Sequence, residues 1–380
     1  MNKIGDVRGD WVWCGSWWFN MLNDDATYTF PMDNLTGRLS FKELYNNYLK
    51  FIKLRRFTGK MGCDPEIFVE DKDGMLIPAF NFLGSKKDPT LKYGNHNKSI
   101  YWDGFAAEME VNPDTCLAWV GDNIQCGLKE LINKAQATYP GARLSYDVRK
   151  DLTPNNIMDA KPEHLEFGCM LSYNVYGDEQ LNVTGDSVPF RTVGGHIHFG
   201  CGVLSKEQIF NIVKALDAIL GVACTALFAG YDDPNRRELY GRAGEYRLPP
   251  HGLEYRTLSN CWMVHPIIFH LVFEISRYAF QYGYEQQDCF IHNEAEVIDI
   301  INKCDVGGAK KVIMENEIFY KAIFKIINDQ KVGSLFGMLM NGMDSVINPK
   351  TIHSNWKLMD IWADHCDGEN ECLRTFEFTA

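Results

Sequence analysis

The side chains of this 380-residue chain that could do chemistry fall mostly into four short segments. Asp64 and Glu66 stand two apart in Cys63-Asp64-Pro65-Glu66-Ile67-Phe68, and Glu108 and Glu110 do the same in Ala107-Glu108-Met109-Glu110-Val111. His196 and His198 are framed by glycines in Gly194-Gly195-His196-Ile197-His198-Phe199-Gly200, and Glu254 alternates with Arg256 in Leu253-Glu254-Tyr255-Arg256-Thr257. In a strand, alternate side chains leave one face, so each pair points one way while Ile67, Met109, Val111, Ile197 and Tyr255 point the other. Carboxylate oxygens are the hard ligands that Mg²⁺ or Mn²⁺ prefers. An imidazole can take a metal or a phosphate oxygen while its other nitrogen is held by an acceptor. An arginine beside a metal-binding glutamate suits a transferring phosphoryl group, because it neutralises charge without competing for metal. Singly, each pair has a plain explanation: acids on a solvated edge strand, a core histidine, a surface ion pair worth under about 1 kcal/mol. Gathered on one sheet, they would form a surface that is costly without cations and an anionic ligand, as in a metal–nucleotide site.

Those pairs need strands to hold them, and the surrounding sequence supplies strand cues. Strand patterning starts at Lys60, with a hairpin expected at Asp73-Gly74 between Glu66–Val69 and Met75–Pro78. Tyr101 to Val111 reads as the next strand region, with Asp103 reaching the same area from a turn. Asn112-Pro113-Asp114 stops it, and Thr115 is placed to cap an amphipathic helix running to about Thr138. Arg191 to Gly200 reads as a strand, and Ser205 with Gln208 forms a capping-box pattern for a long apolar helix ending near Gly230. Glu245 to Leu258 is strand broken by Pro249-Pro250, with Arg242 and Arg247 preceding the Glu254 pair, and His265 to about Gln287 is a buried helix. Three short helices are expected after residue 290, over Glu294–Cys304, Glu315–Asn328 and near Trp356. Hairpins with helices between them, rather than a βαβ rhythm, favour an α+β fold with an antiparallel sheet. Residues 1 to about 60 read as an extension, with Trp11, Trp13, Trp17 and Trp18 clustered early and a helix-like run from Phe41 to Arg56.

Composition narrows the class. Hydrophobic content of 46% and charged content of 23% are ordinary for a globular protein with its own core. A formal net charge of −12 argues against a bulk grip on nucleic acid, leaving only a small basic patch around Lys53, Arg55 and Arg56. The 12 cysteines form no CxxC pair and read as buried thiols in a reducing compartment; His365-Cys366 with Cys372 is the nearest thing to a zinc fragment. The start carries no secretory pattern, and no stretch reaches about 18 uninterrupted apolar residues. Ile209 to Ala229 comes closest but is interrupted by Lys214 and Asp217. The expected location is therefore cytoplasmic, with no membrane partner. Phosphate-loop, nucleophile-elbow, zinc-protease and dinucleotide fingerprints are all missing; Gly307-Gly308-Ala309-Lys310-Lys311 lacks the spacing and reads as a loop before a helix.

The order of these motifs resembles the glutamine synthetase and γ-glutamylcysteine synthetase superfamily of carboxylate–amine ligases, and within it the phage-type, phiEco32-like COOH–NH2 ligases. Gly62-Cys63-Asp64-Pro65-Glu66 is similar to that superfamily's first acidic strand, although Asp64 stands where Glu is usual. Asp103 and Glu110, seven apart and followed by Asn112-Pro113, resemble its second acidic segment. Gly194 to His198 resembles its glycine-rich histidine strand, and Leu253 to Arg256 its late Glu-x-Arg strand. The resemblance covers roughly residues 60 to 290.

It implies a curved antiparallel β-sheet forming an active-site groove, with helices on the sheet's outer face. The chain would then divide into an extension over 1–59, a catalytic domain over 60–290 and a helical segment over 291–380. ATP and Mg²⁺ (or Mn²⁺) are the implied cofactors, and a carboxylate and an amine of unknown identity the implied substrates. Asp64, Glu66, Glu110 and Glu254 are assigned to metal, with Glu108 as a further acid whose match is unclear. Asp103 is assigned to the incoming amine or a metal-bound water, and His196 to metal or phosphate with His198 supporting it. Arg256 is assigned to the transferring phosphoryl group and Arg247 to phosphate. A guanidino-type phosphotransferase on the same sheet and a non-catalytic virion or assembly protein stand as alternatives. Homo-oligomerisation is left open.

Overall fold

The computed structural model describes residues 7–8, 11–13, 18–20, 56–166, 172–177, 188–285, 293–328 and 330–358. Near the N-terminus, β1 (Val7–Arg8), β2 (Trp11–Trp13) and β3 (Trp18–Asn20) pair as a small antiparallel sheet. The helix-like run to Arg56, except for Arg56 itself, and the His365-Cys366-Cys372 fragment lie outside the described residues.

From Lys60 the chain is extended as β4 (Lys60–Cys63) and β5 (Glu66–Ile67), with Asp64-Pro65 between them. The hairpin expected at Asp73-Gly74 forms between β6 (Val69–Glu70) and β7 (Leu76–Ile77), and Gly74 takes the left-handed φ of +84° that the turn needs. After β8 (Leu91–Tyr93), the strand region expected over Tyr101 to Val111, with its turn at Asp103, is a hairpin of β9 (Lys98–Asp103) and β10 (Ala106–Met109). Gly104, at φ +55°, makes the reversal, so Asp103 ends one strand and Glu108 lies on the next. A helix spans Leu117–Thr138 as expected, but its N-cap is Cys116 rather than Thr115 and makes no side-chain cap bond. The carboxylate of Asp114, two residues earlier, accepts the Cys116 N–H at 2.7 Å and takes over that role.

Next come β11 (Arg143–Leu144), which pairs with β6, and β12 (Arg149–Asp151). They are followed by β13 (Tyr173–Asn174), β14 (Phe190–Thr192), which pairs with β12, and β15 (Ile197–Gly200). The strand expected over 191–200 is thus two strands joined by Val193–His196. Gly195 allows the join: a Cβ there would lie 2.4 Å from Trp262 Nε1 and 2.5 Å from the Ser259 carbonyl. The strand over 245–258 likewise resolves into the hairpin β16 (Glu245–Arg247) and β17 (Leu253–Tyr255).

Two sheets hold the chemistry-bearing pairs: one of order β13-β16-β17-β15-β4, the other β5-β10-β9-β8, with every pairing antiparallel. They meet along residues 60–67. The Met109 N–H donates to the Pro65 carbonyl at 3.1 Å and the Val111 N–H to the Cys63 carbonyl at 3.2 Å. Met61 and Asp114 exchange bonds of 2.9 and 3.0 Å. These carry the ladder past the proline, so the strands run side by side from β8 across to β13.

Helices cover the face that bears Met109, Phe199 and Tyr255. Gly127 of the Leu117–Thr138 helix lies against Met109, and Phe280 stacks on Phe199 at 4.7 Å. Ser205 and Gln208 form the expected capping box at the start of the helix Lys206–Ala215, which continues through a π-helical stretch, Leu216–Gly221, into Val222–Leu227. By length and hydropathy this helix could cross a membrane, but 83% of its most apolar window is buried inside the protein. The helix Pro266–Tyr284 is buried on most faces, as its apolar content implies.

More helices follow than expected: Glu294–Lys303, Val306–Glu315, Glu317–Ile327, Val332–Asn341 and the short Ile352–Asn355. Gly307 to Lys311 lies within the second of these rather than in a loop. The Asp305 side chain accepts the Gly308 N–H at 3.0 Å, a cap that offsets the cost of two glycines in the first turn.

Candidate active site

Strand register determines which groups meet. Across the first sheet Gly62, His198, Glu254 and Arg247 are directly paired in a row, and across the second Glu66, Glu108 and Tyr101 are. Cross-strand partners share a face. Asp64, between Gly62 and Glu66, sits where the two rows join. His196 and Arg256, two residues from His198 and Glu254, extend the same face.

The contacts are short. His198 Nε2 lies 3.1 Å and His196 Nδ1 3.3 Å from Asp64 Oδ1, and His196 Nδ1 is 3.5 Å from Glu254 Oε1. Arg247 grips Glu254 with two bonds of 2.9 and 2.6 Å, and Arg256 Nη1 reaches Glu254 Oε1 at 3.1 Å. Glu66 Oε2 accepts the Gly194 N–H at 2.7 Å and the Tyr240 hydroxyl at 2.9 Å. Glu108 Oε1 accepts the Tyr101 hydroxyl at 2.8 Å and meets Lys86 Nζ at 3.3 Å. Asp103 stands at the β9–β10 turn, close enough to feel Glu66, Lys86 and Asp64. Glu110 is not drawn into these contacts: it lies just past β10, half-buried, and its carboxylate accepts the Ser99 N–H at 3.4 Å.

Burial divides the acids into two electrostatic groups. Burial alone would raise Asp64, but His198 and His196 beside it hold its carboxyl well below the usual range. Glu254 is likewise lowered, against its burial, by His196 and by the Arg247 bond. His196 is pushed down to about 4 by burial and by Arg256, whereas His198 is raised by Asp64 despite its burial. The other group is held proton-rich. Glu66 rises to about 7 through burial and Glu108, Glu108 to about 7 through burial and then Asp64 and Asp103, and Asp103 to about 7 through burial and Glu66. Ionising Glu66 in the fold therefore costs about 3 kcal/mol more than in water, a cost that a bound cation would offset.

Asp64, His198 and Glu254 each offer one ligand atom within 4.8 Å of the others. Asp64 Oδ1, His196 Nδ1 and His198 Nε2 are buried, and their close contacts do not have hydrogen-bond geometry with any described residue. Buried polar atoms left in that condition fit a divalent cation that would coordinate them. The two carboxylates of that set are the oxygen donors that suit Mg²⁺ or Mn²⁺, while an imidazole ligand is one that transition metals take more readily than Mg²⁺.

Sequence spacing missed several contributors. Tyr240, Lys86 and Tyr101 bond the acids directly, the first from a loop 174 residues from Glu66 and the second from a loop 22 residues before Glu108. Arg236, fully buried, donates to the carbonyls of Val193, Thr257 and Leu258 at 3.2, 2.8 and 2.7 Å and lies over the Tyr240 ring. It ties the histidine segment to the end of the Glu254 strand. The arginine pair Arg236-Arg237 beside an aromatic was the signal available, but nothing in its spacing says which way it turns.

Among solved structures, a bifunctional glutathione synthetase from Pasteurella multocida is similar at 11% identity with a TM-score of 0.38, over 83% of this chain and 52% of that one. The chain thus spans about half the length of that protein. A search of curated proteins finds no significant match. The family comparison covers the stretch that carries His196, His198, Arg247, Glu254 and Arg256: residues 149–301 match the family model of the phage phiEco32-like COOH-NH2 ligases, type 2.

Proposed function

We propose that the chain is an ATP-dependent carboxylate–amine ligase, which activates an acid as an acyl phosphate and passes it to an amine to form an amide. The observation that carries this is the meeting of Asp64, His198 and Glu254 with Arg247 and Arg256 on one sheet face, partly inside the segment that matches the ligase family. On this reading the antiparallel strands form the curved, glutamine-synthetase-like groove, and its inner face is the one lined by the acids.

Bringing a carboxylate up to a triphosphate opposes two anions. A free carboxylate is also a poor acyl donor, so activation is required before an amine can attack. Asp64, His198 and Glu254 would hold Mg²⁺ or Mn²⁺, with Glu66 and Glu108 as further acids; Glu110, bonded to the Ser99 N–H, would join them only by leaving that bond. A divalent cation bound there would screen the phosphate oxygens from the incoming carboxylate. Arg256 and Arg247 would stabilise charge on the phosphoryl group in flight, because they are already anchored by Glu254 and need no reorganisation. His196, kept neutral by burial and Arg256, would donate a hydrogen bond from its ring N–H to a phosphate oxygen rather than pair with it as a cation, with His198 supporting it. Asp103, pushed up to about 7 and so about half protonated near neutral pH, suits the role of taking up and releasing a proton as the amine attacks.

The test is to incubate the protein with Mg²⁺, ATP and pooled amino acids and amines, and to follow phosphate release alongside mass spectrometry for a condensation product. An amide with ADP and free phosphate is the expected result. A stable phosphorylated product without an amide would instead mark a phosphotransferase, and no Mg²⁺-dependent ATP binding would mark an idle fold. Glu254→Gln should abolish ADP formation; near-normal turnover would remove Glu254 from the site.

A further inference from the structure

The cations on this face are not spread evenly, and their placement gives the site a direction. Arg247 and Arg256 lie at one end of the row, around Glu254. At the other end, beyond Glu66 and Glu108, stands Lys86: its Nζ is 3.3 Å from Glu108 Oε1 and 4.9 Å from the centre of the Tyr101 ring. The carboxylates lie between. Lys86 is not on a loose loop. Gly84 accepts the Trp102 N–H at 3.0 Å and donates its own N–H to Thr90 Oγ1 at 2.9 Å, and Ser85 bridges to both Asp88 and Trp102. The loop is therefore laced to β9, yet the lysine side chain keeps 65% of its surface exposed while its Nζ reaches Glu108. An ammonium carries three N–H donors, and the hydrogen bond to Glu108 uses one of them, so an exposed ammonium here can donate to a second anion as well.

We infer that Lys86 binds the carboxylate of the acid substrate, and so identifies the Tyr101–Glu108 end of the face as the acid-binding end, opposite the phosphate-binding arginines. This assignment rests on the ligase reading and adds to it a residue and an orientation. Guanidinium and ammonium groups each bind carboxylate and phosphate, so position makes the assignment: Arg247 and Arg256 surround Glu254 of the metal-ligand cluster, where phosphate oxygens would be held, and Lys86 stands beyond Glu108. Cation binding at Glu108 would loosen the Lys86 contact, leaving the ammonium free to engage an incoming anion.

The test uses the full chain, with Lys86→Met and Lys86→Arg as variants. Lys86 packs into no core, so both should fold. Calorimetry with Mg²⁺ and the non-hydrolysable analogue AMP-PNP reads the nucleotide end, and titration of that complex with a panel of L-amino acids and short dicarboxylates reads the acid end. Lys86→Met should leave the affinity for Mg·AMP-PNP within about threefold. It should weaken the best carboxylate of the panel by about tenfold or more, the size of one lost charge-assisted hydrogen bond, with Lys86→Arg restoring part of it. Unchanged carboxylate affinity in Lys86→Met, no carboxylate response in the unaltered Mg·AMP-PNP complex, or an equal loss of Mg·AMP-PNP affinity would each overturn the assignment. Failure of the unaltered protein to bind Mg·AMP-PNP at all would sink the ligase reading instead, and this assignment with it.

Discussion

Replacing Asp217 with asparagine should remove a pH-dependent loss of stability that the wild-type chain carries. Asp217 sits fully buried in the π-helical stretch behind the sheet, where its Oδ1 accepts the Tyr255 hydroxyl at 2.7 Å and the Thr257 hydroxyl at 3.3 Å. Burial pushes its carboxyl from the usual 3.8 up to about 7, against those hydrogen bonds. The folded state therefore holds a proton that the unfolded chain gives up earlier. Below about pH 4 both states are protonated and the group costs nothing; as pH rises towards 7 the unfolded chain ionises first and folding loses ground. The loss levels off above pH 7 at about 4 kcal/mol, since each unit of displacement is worth about 1.4 kcal/mol. An asparagine side chain cannot ionise. Whatever constant penalty its amide incurs in place of the carboxyl is the same at every pH, so the pH slope is the quantity to read. Urea unfolding of both proteins between pH 4 and 8 should show the stability difference shifting in favour of the Asp217→Asn variant by about 4 kcal/mol across that window. A difference that stays flat over the range would refute the claim that Asp217 is buried protonated.

Three further outcomes follow from the geometry. Tyr240→Phe deletes the hydroxyl that reaches Glu66 at 2.9 Å and the Thr192 carbonyl at 3.1 Å, and should cost about 1 kcal/mol in urea unfolding while leaving the secondary structure by circular dichroism unchanged. Gly195→Ala drives a methyl into Trp262 Nε1 and the Ser259 carbonyl, and should lower stability by about 3 kcal/mol on the same assay, whereas an exposed glycine such as Gly177 should tolerate alanine. Mg²⁺ or Mn²⁺ binding near Glu66 and Glu108, each half protonated near pH 7, should release about one proton at that pH and weaken as pH falls to about 6. Calorimetry in two buffers of different ionisation enthalpy counts that proton, and a count of zero would mean the cation does not use these carboxyls.

Much of the local structure was legible in order along the chain. The Ser205–Gln208 capping box, the Asp73-Gly74 hairpin and the break at Pro249-Pro250 all depend on neighbouring residues, and they appear where spacing places them. The i, i+2 pairing of His196 with His198 and of Glu254 with Arg256 was enough to say that each pair shares a face, because a strand's two-residue period is a backbone property. Where the reading slipped, a single glycine or a nearby cap decided the matter: the close approach of Gly195 to Trp262 and Ser259 splits the strand expected over 191–200, and Asp305 lets Gly307 and Gly308 sit in a helix.

What the chain could not announce by itself is which faces meet. That Asp64 bridges two sheets follows from ladder bonds on both sides of Pro65, with strands about 50 and 130 residues away. Tyr240 reaches Glu66, and Arg236 the backbone beside the histidine and Glu254 segments, only because the chain returns there after the long apolar helix; Lys86 reaches Glu108 only because its loop is tied to β9. The split between ionised Asp64 and Glu254 and proton-rich Glu66, Glu108 and Asp103 is also a tertiary outcome. Residue type sets a carboxyl's starting acidity, but burial and the charges packed around it set where it ends, and those depend on the assembled fold.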